Sequence, residues 1–495
     1  MFNNFLLYFQ KDLNPFLISI FFVSIIIFMS ETLFKKNKLD SSIIRKLVHL
    51  LIGVATSFSP FIFNSNFPPI CLALTFILIN YLALNNNFIN SIHSIRRKSY
   101  GTTFFPLSFL ILSIFFWEYK TYFLLSFMIL SFSDPIASIV GENIKNPRTF
   151  YLISDRKSIE GSITFFIVSI IILFFGSSLL LTLSLPSKIF FSVFIAIGAT
   201  IAEMCSSKGS DNISVPIISI LLMITYEYRF NDVNNVFDIL NSEIFILFMI
   251  MITLIFIAYK IKVLSLSGFL GAAIMGTFLI MLKSFYYIII FIIFFVSCSI
   301  ISKIFKKENF YNIKGSERDL IQVYSNGGAA LLICIYDFFL PSEFNILLFS
   351  SSIAAAMADT WGTEFGKISK SKPRSIISMK SINHGESGGV TLIGTFASLL
   401  GSCIIGFSTY LLFGISTKQV ITIIMSGFTA ALIDSILGAT LQGRFKLLKT
   451  NMIIEKDKKD SIHISGLKWM TNDIVNVVNT FISPLIFIIL YKILL

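Results

Sequence analysis

The sequence predicts an all-α polytopic integral membrane protein with about 16 transmembrane helices in two related, repeated halves. Three observations predict it. The first is composition: of 495 residues, 55% are hydrophobic and 13% charged, with a mean hydropathy of +0.82, whereas roughly a quarter of a soluble domain is charged. The second is a succession of apolar runs of near membrane-spanning length. The third is a sparse polar pattern that recurs in the same order in both halves. Composition excludes a soluble enzyme, a disordered chain and a collagen-like repeat. The 55 phenylalanines read as lipid-facing or packing residues.

Taken in order, the apolar runs cover 15–29, 47–63, 69–84, 103–118, 121–141, 161–183, 188–205, 213–228, 243–259, 265–282, 284–302, 320–340, 344–358, 390–413, 418–440 and 474–494. Several are shorter than the ~20 residues a perpendicular helix needs, so re-entrant or broken segments are expected among them. Every second loop is basic: 30–46, 85–101, 142–160, 206–212, 260–264, 303–319, 366–381 and 441–473 hold 32 of the 39 Lys and Arg residues. Basic loops stay cytoplasmic. The net charge of +12 is thus mostly topology, not nucleic-acid binding, and both termini are placed outside.

Lys11 and Asp12 precede the first long apolar run, and no small-residue cleavage site follows it, so no signal peptide is expected. Cys71, Cys205, Cys298, Cys334 and Cys403 are scattered singly, without a CxxC. The four histidines form no HExxH. Neither a disulfide framework nor a zinc site is expected.

Ionisable residues inside membrane segments are costly and mark function by default. Asp134, Glu203, Asp359 and Asp434 all fall near the cytoplasmic ends of spans, with His49, Tyr100, Gly101, Asn326 and Gly327. A transporter would place such groups near the bilayer midplane. A one-sided cluster points instead to an enzyme that meets a cytosolic reagent at the membrane face.

The repeat runs Ser99-Tyr100-Gly101, Asp134, Gly141, Lys157-Ser158-Ile159 in the first half. In the second it runs Ser325-Asn326-Gly327, Asp359, Gly366, Lys380-Ser381-Ile382. An acidic residue, Glu203 or Asp434, follows each Lys. The expected domains are 1–229, a linker and connecting span over 230–259 with an external Asn- and Asp-rich stretch at 230–242, and 260–495.

Acidic residues can hold Mg²⁺ together with substrate phosphates. Lys and Arg neutralise phosphate oxygens, and Gly lets backbone amides approach them. Asp134 faces a loop with Arg148, Arg156 and Lys157, and Glu160-Gly161-Ser162 follows. Glu203, Asp211 and Asn212 are further oxygen ligands on the same face. The second half offers Glu317-Arg318-Asp319, Asn326-Gly327-Gly328, Asp359, Glu364, Lys380, the turn Gly385 to Gly389, Asp434-Ser435, Gly438, Gln442, Asn472-Asp473 and Asn476. The combination fits phosphoryl or nucleotidyl transfer. Asp134, Glu203, Asp359, Glu364 and Asp434 are the expected Mg²⁺ ligands.

Two motifs fail. Gly385 to Gly389 spells G-x-S-x-G, but a nucleophile elbow needs a strand–turn–helix in a soluble sheet. Around Gly366-Lys367 a P-loop would need Gly where Trp361 stands and Ser or Thr where Ile368 stands. Arg45 and His49 lie four apart and share a helix face beside Lys46. They read equally as phosphate and proton-transfer groups or as a snorkelling anchor and a capped helix end.

At these residues the chain resembles two families. The first half, about 40–225, is similar to the dolichol kinase/phytol kinase family of CTP-dependent polyprenol kinases. The matches are Arg45-Lys46-x-x-His49-x-x-x-Gly53, Tyr100-Gly101-Thr102, Asp134-x-x-Ala137-x-x-x-Gly141, Lys157-Ser158-x-Glu160-Gly161-Ser162, Glu203, and Asp211-Asn212 with Pro216. The Lys-Ser-x-Glu-Gly piece also looks like phosphatidate cytidylyltransferases. The second half, about 260–494, resembles the DUF92 family, which includes the plant phytyl-phosphate kinase. There the matches are Leu266-Ser267-Gly268, Arg318-Asp319-x-x-Gln322-Val323, Asn326-Gly327-Gly328, Ala358-Asp359-Thr360 with Glu364 and Gly366, Gly388-Gly389-Val390-Thr391, Asp434-Ser435-x-x-Gly438, and Asn472-Asp473-x-x-Asn476. Gly362-Thr363 and the turn His384 to Ser387 depart from the family pattern.

The resemblance implies a bifunctional isoprenoid salvage kinase. The first half would phosphorylate a prenyl alcohol of the phytol, geranylgeraniol or farnesol type with CTP. The second would convert the monophosphate to the diphosphate, with CTP or another nucleoside triphosphate. Asp134 and Asp359 would hold Mg²⁺-nucleotide, Lys157 and Lys380 would neutralise the transferring phosphate, and Glu160 and His49 are candidate bases. Arg45, Lys46, Gly101, Gly141, Gly161, Ser162, Asp211, Asn212, Arg318, Asn326, Gly327, Gly388, Gly389 and Asn472 would contact the nucleotide. A cytidylyltransferase releasing pyrophosphate and a carrier for lipid phosphates are the alternatives. The expected location is the plasma membrane of a prokaryote, with the sites on its cytoplasmic face.

Overall fold

A peptide group in hydrocarbon must find its hydrogen-bond partner within the chain, and helices satisfy this within one segment. The chain does so almost throughout. The computed structural model describes residues 2–36, 40–86, 100–230, 243–283, 285–305, 317–384, 386–448, 453–455, 457 and 460–494. Residues 231–242 of the expected linker and Gly385 of the expected turn lie outside the described residues. The chain divides into two compact units, Met1–Ser242 and Glu243–Leu495.

The first unit runs α1 (Phe2–Lys35), α2 (Ser41–Ser57), the single turn α3 (Ser59–Ile62), α4 (Phe67–Asn86), α5 (Gly101–Phe115) and α6 (Lys120–Asn143). A hairpin of β1 (Thr149–Tyr151) and β2 (Arg156–Ser158) follows, then α7 (Ile159–Leu180), α8 (Leu185–Met204) and α9 (Asp211–Phe230). Helix α6 is the central element and packs against α2, α7 and α9. Phe123, Phe127 and Leu130 on it are fully buried, and Phe123 and Phe127 stand edge-on to Phe109 of α5 with ring centroids 6.0 Å apart. Ser133 and Ser169 join α6 to α7 through a 2.9 Å hydroxyl contact. Such interhelical hydroxyl bonds replace the hydrophobic drive that lipid removes.

The crossing of α6 with α7 is set by small residues. A Cβ on Gly141 would lie 3.7 Å from Gly161 Cα and 2.7 Å from Ser158 Oγ. Ser158 is also the N-cap of α7, accepting from Gly161 N at 3.2 Å, which satisfies one of the orphan donors of the first turn.

The second unit runs α10 (Glu243–Lys260), α11 (Leu266–Leu282), α12 (Phe285–Ile304), α13 (Leu320–Phe339) and α14 (Glu343–Gly366). A two-stranded pair of β3 (Arg374–Ser375) and β4 (Gly389–Val390) precedes α15 (Leu392–Phe413) and α16 (Thr417–Thr440). An antiparallel sheet of β5 (Arg444–Leu447), β6 (Ile453–Ile454) and β7 (Ser461–Ser465), in the order β6-β5-β7, then leads to α17 (Asn472–Leu494). Here α14 is central, packing against α12, α13, α15, α16 and α17. Its buried run from Ser350 to Ala358 is built of Ser, Ala, one Ile and one Met, which lets neighbouring backbones approach closely. Thr391 caps α15 by accepting from Gly394 N at 3.0 Å. At the other end of α13, Asp337 accepts from Tyr287 Oη (2.7 Å), Asn345 Nδ2 (2.8 Å), Lys283 Nζ (2.7 Å) and Ser342 N (3.1 Å).

Sixteen helices of fifteen residues or more are present among the described residues. Eleven are long and apolar enough to cross a membrane, and three shorter ones, over Phe67–Ala83, Gly101–Phe115 and Leu266–Leu282, are apolar. The expected count of about sixteen spans is therefore not reached on length and composition. Helices α13 and α14 fall short because their apolar residues are diluted by Asn326, Asp337, Asp359 and many serines.

Glycine packing can be tested directly. In Gly394→Ala the new Cβ would sit 2.7 Å from the backbone oxygen of Gly362, which cannot rotate away, so a loss on the order of 1–3 kcal/mol is expected. Gly328→Ala meets nothing within 4 Å and should leave the thermal midpoint in detergent unchanged. Equal midpoints for the two variants would refute the close-crossing account.

Candidate active site

In the first unit, the antiparallel pairing of β1 with β2 carries the chain directly into the N-cap of α7. Lys157, one residue before that cap, is thereby aimed at the end of α8. Its Nζ donates to the Glu203 carboxylate and to Ser206 Oγ at 3.2 Å. Ser206 in turn donates to Glu203 O at 2.6 Å. Burial works to lower the Lys157 pKa, but Glu203, Asp211 and Asp134 outweigh it and push the value up to about 12. The ammonium is thus a fixed cation at any physiological pH.

Asp134, half-buried on α6, lies in the electrostatic field of Asp211, Lys157, Arg45 and Lys46. His49, on α2, lies in the electrostatic field of Asp211 and Arg45, approaches Leu130 O at 3.4 Å through Nε2 and stands edge-on to Phe105 at 5.5 Å. The backbone N–H of Tyr100 donates to Lys208 O at 2.9 Å, bringing the start of α5 to the loop before Asp211. Asp134, Lys157, Glu203, Asp211, Arg45, Lys46 and His49 therefore form one charged cluster at one end of the unit.

The second unit gathers a different set. Asp359, half-buried on α14, is acted on by Glu364 and Lys367, and Lys367 Nζ donates to Glu364 at 2.8 Å. Asp434, on α16, lies in the electrostatic field of Asp359 and Glu455. Glu455 follows β6 and accepts from the Ser387 hydroxyl. Arg444, on β5, donates to Ser387 O (2.7 Å) and Gly438 O (3.1 Å). Gly388 needs its φ of +78°, and a Cβ there would lie 2.4 Å from Ala439 Cβ, so the turn lies flat on the end of α16. Arg318 donates to Ser302 Oγ (3.2 Å) and Cys298 O (3.4 Å).

Other expected site residues do something else. Glu160 accepts the Arg148 backbone N–H at 3.1–3.2 Å and so staples the hairpin instead of facing Asp134. Lys380 is exposed. The residue directly before the N-cap of α7 is Lys157, whereas Val390 directly precedes Thr391, the N-cap of α15. Gly141 and Gly161 face each other across a helix crossing, and a Cβ on Gly327 would meet Met275 Sδ at 2.7 Å. These three are packing residues, not an open phosphate cradle. Gly101 opens α5, and Gly389 lies in β4 paired with Ser375. Asn212 donates to Gly209 O (3.1 Å) and Asn326 to Gln322 O (2.9 Å), both within their own turns. Ser162 is buried in α7, and Asn472 is exposed at the start of α17. Lys46 is paired with Glu142 at 2.6 Å. Sequence reasoning missed Lys367, weighed only as part of a failed P-loop, and Glu455, which no local pattern marks.

No group of three or more His, Cys, Asp or Glu side chains gathers closely enough to hold a metal among the described residues. Mg²⁺ does not need one, because it binds through one or two carboxylates plus phosphates and water. The donor set fits that mode. Glu203 Oε2 and Asp434 Oδ2 are buried acceptors without a hydrogen-bond partner among the described residues, and Thr102 Oγ1, Thr103 Oγ1, Trp361 Nε1 and Gln442 Nε2 are buried groups in the same condition. Buried polar atoms are ordinarily satisfied; the two carboxylate oxygens suit a cation, and the hydroxyl and N–H groups suit an anion.

The family model described as integral membrane protein DUF92 matches residues 249–483. An uncharacterized membrane protein of Methanocaldococcus jannaschii is 32% identical over 201 residues, 40% of this chain and 84% of the relative. Protein PGR of Arabidopsis thaliana is 30% identical over 258 residues, 46% of this chain and 89% of the relative. Phytol kinase 1, chloroplastic, of Arabidopsis thaliana is 30% identical over 212 residues, 39% of this chain and 68% of the relative. No solved structure matches the chain.

Removing one partner of a buried ion pair costs about 3–5 kcal/mol, because the other charge stays buried and unpaired. Lys157→Met should therefore lower the thermal midpoint sharply, and Lys157→Met with Glu203→Gln should recover much of the loss. Additive losses in this double-mutant cycle would show that the two side chains do not interact.

Proposed function

The chain belongs to the DUF92 family of integral membrane proteins, and from that membership we propose that it is a bifunctional kinase of isoprenoid alcohols at the membrane surface. The first unit phosphorylates a prenyl alcohol of the phytol type with CTP. The second phosphorylates the resulting monophosphate to the diphosphate, with CTP or another nucleoside triphosphate. The observation that carries the reading is the charged cluster of Asp134, Lys157, Glu203, Asp211, Arg45 and His49 at one end of the first unit, in a chain whose relatives include a phytol kinase.

Phosphoryl transfer asks for positioning and charge neutralisation more than for covalent help. Asp134 and Asp359 are the residues that would hold Mg²⁺, which would supply positive charge to the phosphate groups. Lys157 and Arg45 neutralise the oxygens of the transferring group in the first unit, and Lys367 does so in the second. The alcohol oxygen attacks the terminal phosphorus, the bond from that phosphorus to the bridging oxygen breaks, and the nucleoside diphosphate leaves. His49 is the better placed of the two candidate bases for the alcohol proton, because Glu160 is engaged with the Arg148 backbone. The monophosphate is amphiphilic and remains in the bilayer, where a second unit on the same chain meets it at raised effective concentration.

The test uses membranes containing the full chain, phytol, Mg²⁺ and γ-labelled CTP, with lipid products resolved by chromatography. Label should enter a monophosphate first and a diphosphate second. Asp134→Asn should abolish the first product while added monophosphate is still converted, and Asp359→Asn should make monophosphate accumulate. Pyrophosphate release with a CDP-lipid product would overturn the kinase reading in favour of cytidylyl transfer.

A further inference from the structure

Between α16 and α17, the last two helices of the second unit, the chain inserts the sheet of β5, β6 and β7, whereas α8 and α9, the last two of the first, are joined by residues 205–210 without a strand. Hydrogen bonds tie the sheet to the end of the bundle: Leu467 N donates to Leu441 O at 2.8 Å and Gly443 N to Met470 O at 2.9 Å. Arg444, at the start of β5, donates through Nη2 to Ser387 O (2.7 Å) and Gly438 O (3.1 Å), and Glu455 accepts from the Ser387 hydroxyl. The turn at Ser387-Gly388 is thereby clamped onto the end of α16.

The clamp brings together donors that have nothing to donate to. A Cβ built on Gly438 would lie 3.2 Å from Gly388 N and 3.4 Å from Gln442 Oε1, so the amide of the turn and the Gln442 carboxamide meet over a bare Cα. Gln442 is only 2% exposed, and its Nε2 has no partner among the described residues. Neighbouring amides of the turn are used, Glu386 N on Asn383 O and Gly389 N on Glu386 O, both at 3.3 Å, whereas those of Ser387 and Gly388 find no acceptor among the described residues. Arg444 spends Nη2 on its two carbonyls, which leaves Nε and Nη1 over. The acidic neighbour Glu455 is engaged with Ser387. Asp434 lies one helical turn before Gly438, so these donors adjoin the second cluster. A buried donor left unmade is costly, and a phosphate group, rich in acceptor oxygens, satisfies a side-chain amide, backbone N–H groups and a guanidinium together.

We propose that Gln442 Nε2, the Gly388 N–H and the Arg444 guanidinium line a phosphate subsite, and that the phosphate it takes is the one carried by a prenyl monophosphate. The inference deepens the proposed function and rests on it for the choice of ligand. Both steps use a nucleoside triphosphate, but only the second has an acceptor that already bears a phosphate. The sheet that supplies Arg444 and clamps the turn stands at the end of the second unit alone among the described residues. A group needed for one acceptor and not the other belongs on an element that one unit has and the other lacks.

The experiment is equilibrium binding of ³²P-labelled farnesyl monophosphate to the purified full chain in detergent, without nucleotide. The native chain should bind it, and excess inorganic phosphate should displace it. CTP should not, because donor and acceptor must be held together for transfer. Gln442→Glu, which sets a carboxylate where the carboxamide donates, should weaken binding by about tenfold or more. Gln442→Met should act in the same direction and carries the test if Gln442→Glu does not fold, as thermal midpoints of the same samples show. Unchanged affinity in the folded variants would overturn the subsite, and displacement by CTP would overturn its assignment to the lipid phosphate. No turnover is involved, so the two readings fail separately. A chain that binds farnesyl monophosphate through Gln442 yet forms no diphosphate keeps the subsite and sinks the kinase reading. A chain that forms diphosphate but binds equally well with Gln442→Glu sinks the subsite alone.

Discussion

A carboxylate inside a membrane bundle has to be neutralised by something the fold brings to it. Each unit places one on its most enclosed helix, Asp134 on α6 and Asp359 on α14, and the surrounding elements can be understood as answers to that demand. In the first unit the answer comes from two separate places in the chain: Arg45 and Lys46 in the first turns of α2, and Lys157 in the hairpin before α7. Serines and glycines bring the backbones close enough for short side chains to meet. The polar residues of α6 and α14 are the reason these helices are central: facing lipid, they would be costly.

The hairpin before α7 shows how local chemistry becomes site geometry. Ser158 ends the strand and caps the helix, Glu160 returns to the hairpin backbone, and Gly141 and Gly161 let the capped turn press against α6. With the cap and the hairpin fixed in this way, the Lys157 side chain reaches Glu203 and Ser206. A cap, a staple and a close glycine contact are each worth about 1 kcal/mol or less in isolation. Together they aim an ammonium into a cluster of carboxylates. The second unit reuses the cap and the glycine contact but adds a three-stranded sheet after α16, which carries Arg444 and Glu455 to the same end.

The relatives cover between 39% and 46% of this chain and most of their own length. Each of these matches is thus shorter than this chain, which joins two compact units of comparable size. Under the proposed function that arrangement has a simple rationale: a prenyl monophosphate cannot leave the bilayer readily, so both steps on it gain from sharing a membrane.

The sequence by itself determined that the protein lives in a membrane, that it is helical, and that its costly polar residues lie in two series. Those properties follow from hydrophobicity and spacing along one segment at a time. It also marked most of the first cluster, because Arg45, His49, Asp134, Lys157, Glu203 and Asp211 are out of place in apolar surroundings. In the second half it paired Lys380 with Lys157 on the strength of a Lys-Ser-Ile string, and Lys380 is exposed. The tertiary structure decided which residues enter the helix caps, Lys157 ahead of Ser158 and Val390 ahead of Thr391. It likewise decided that Glu160 staples the hairpin, that Gly327 packs against Met275, and that Lys367 and Glu455 join Asp359 and Asp434. Each of these depends on what a side chain meets across the bundle, and distance in space is not written in distance along the chain.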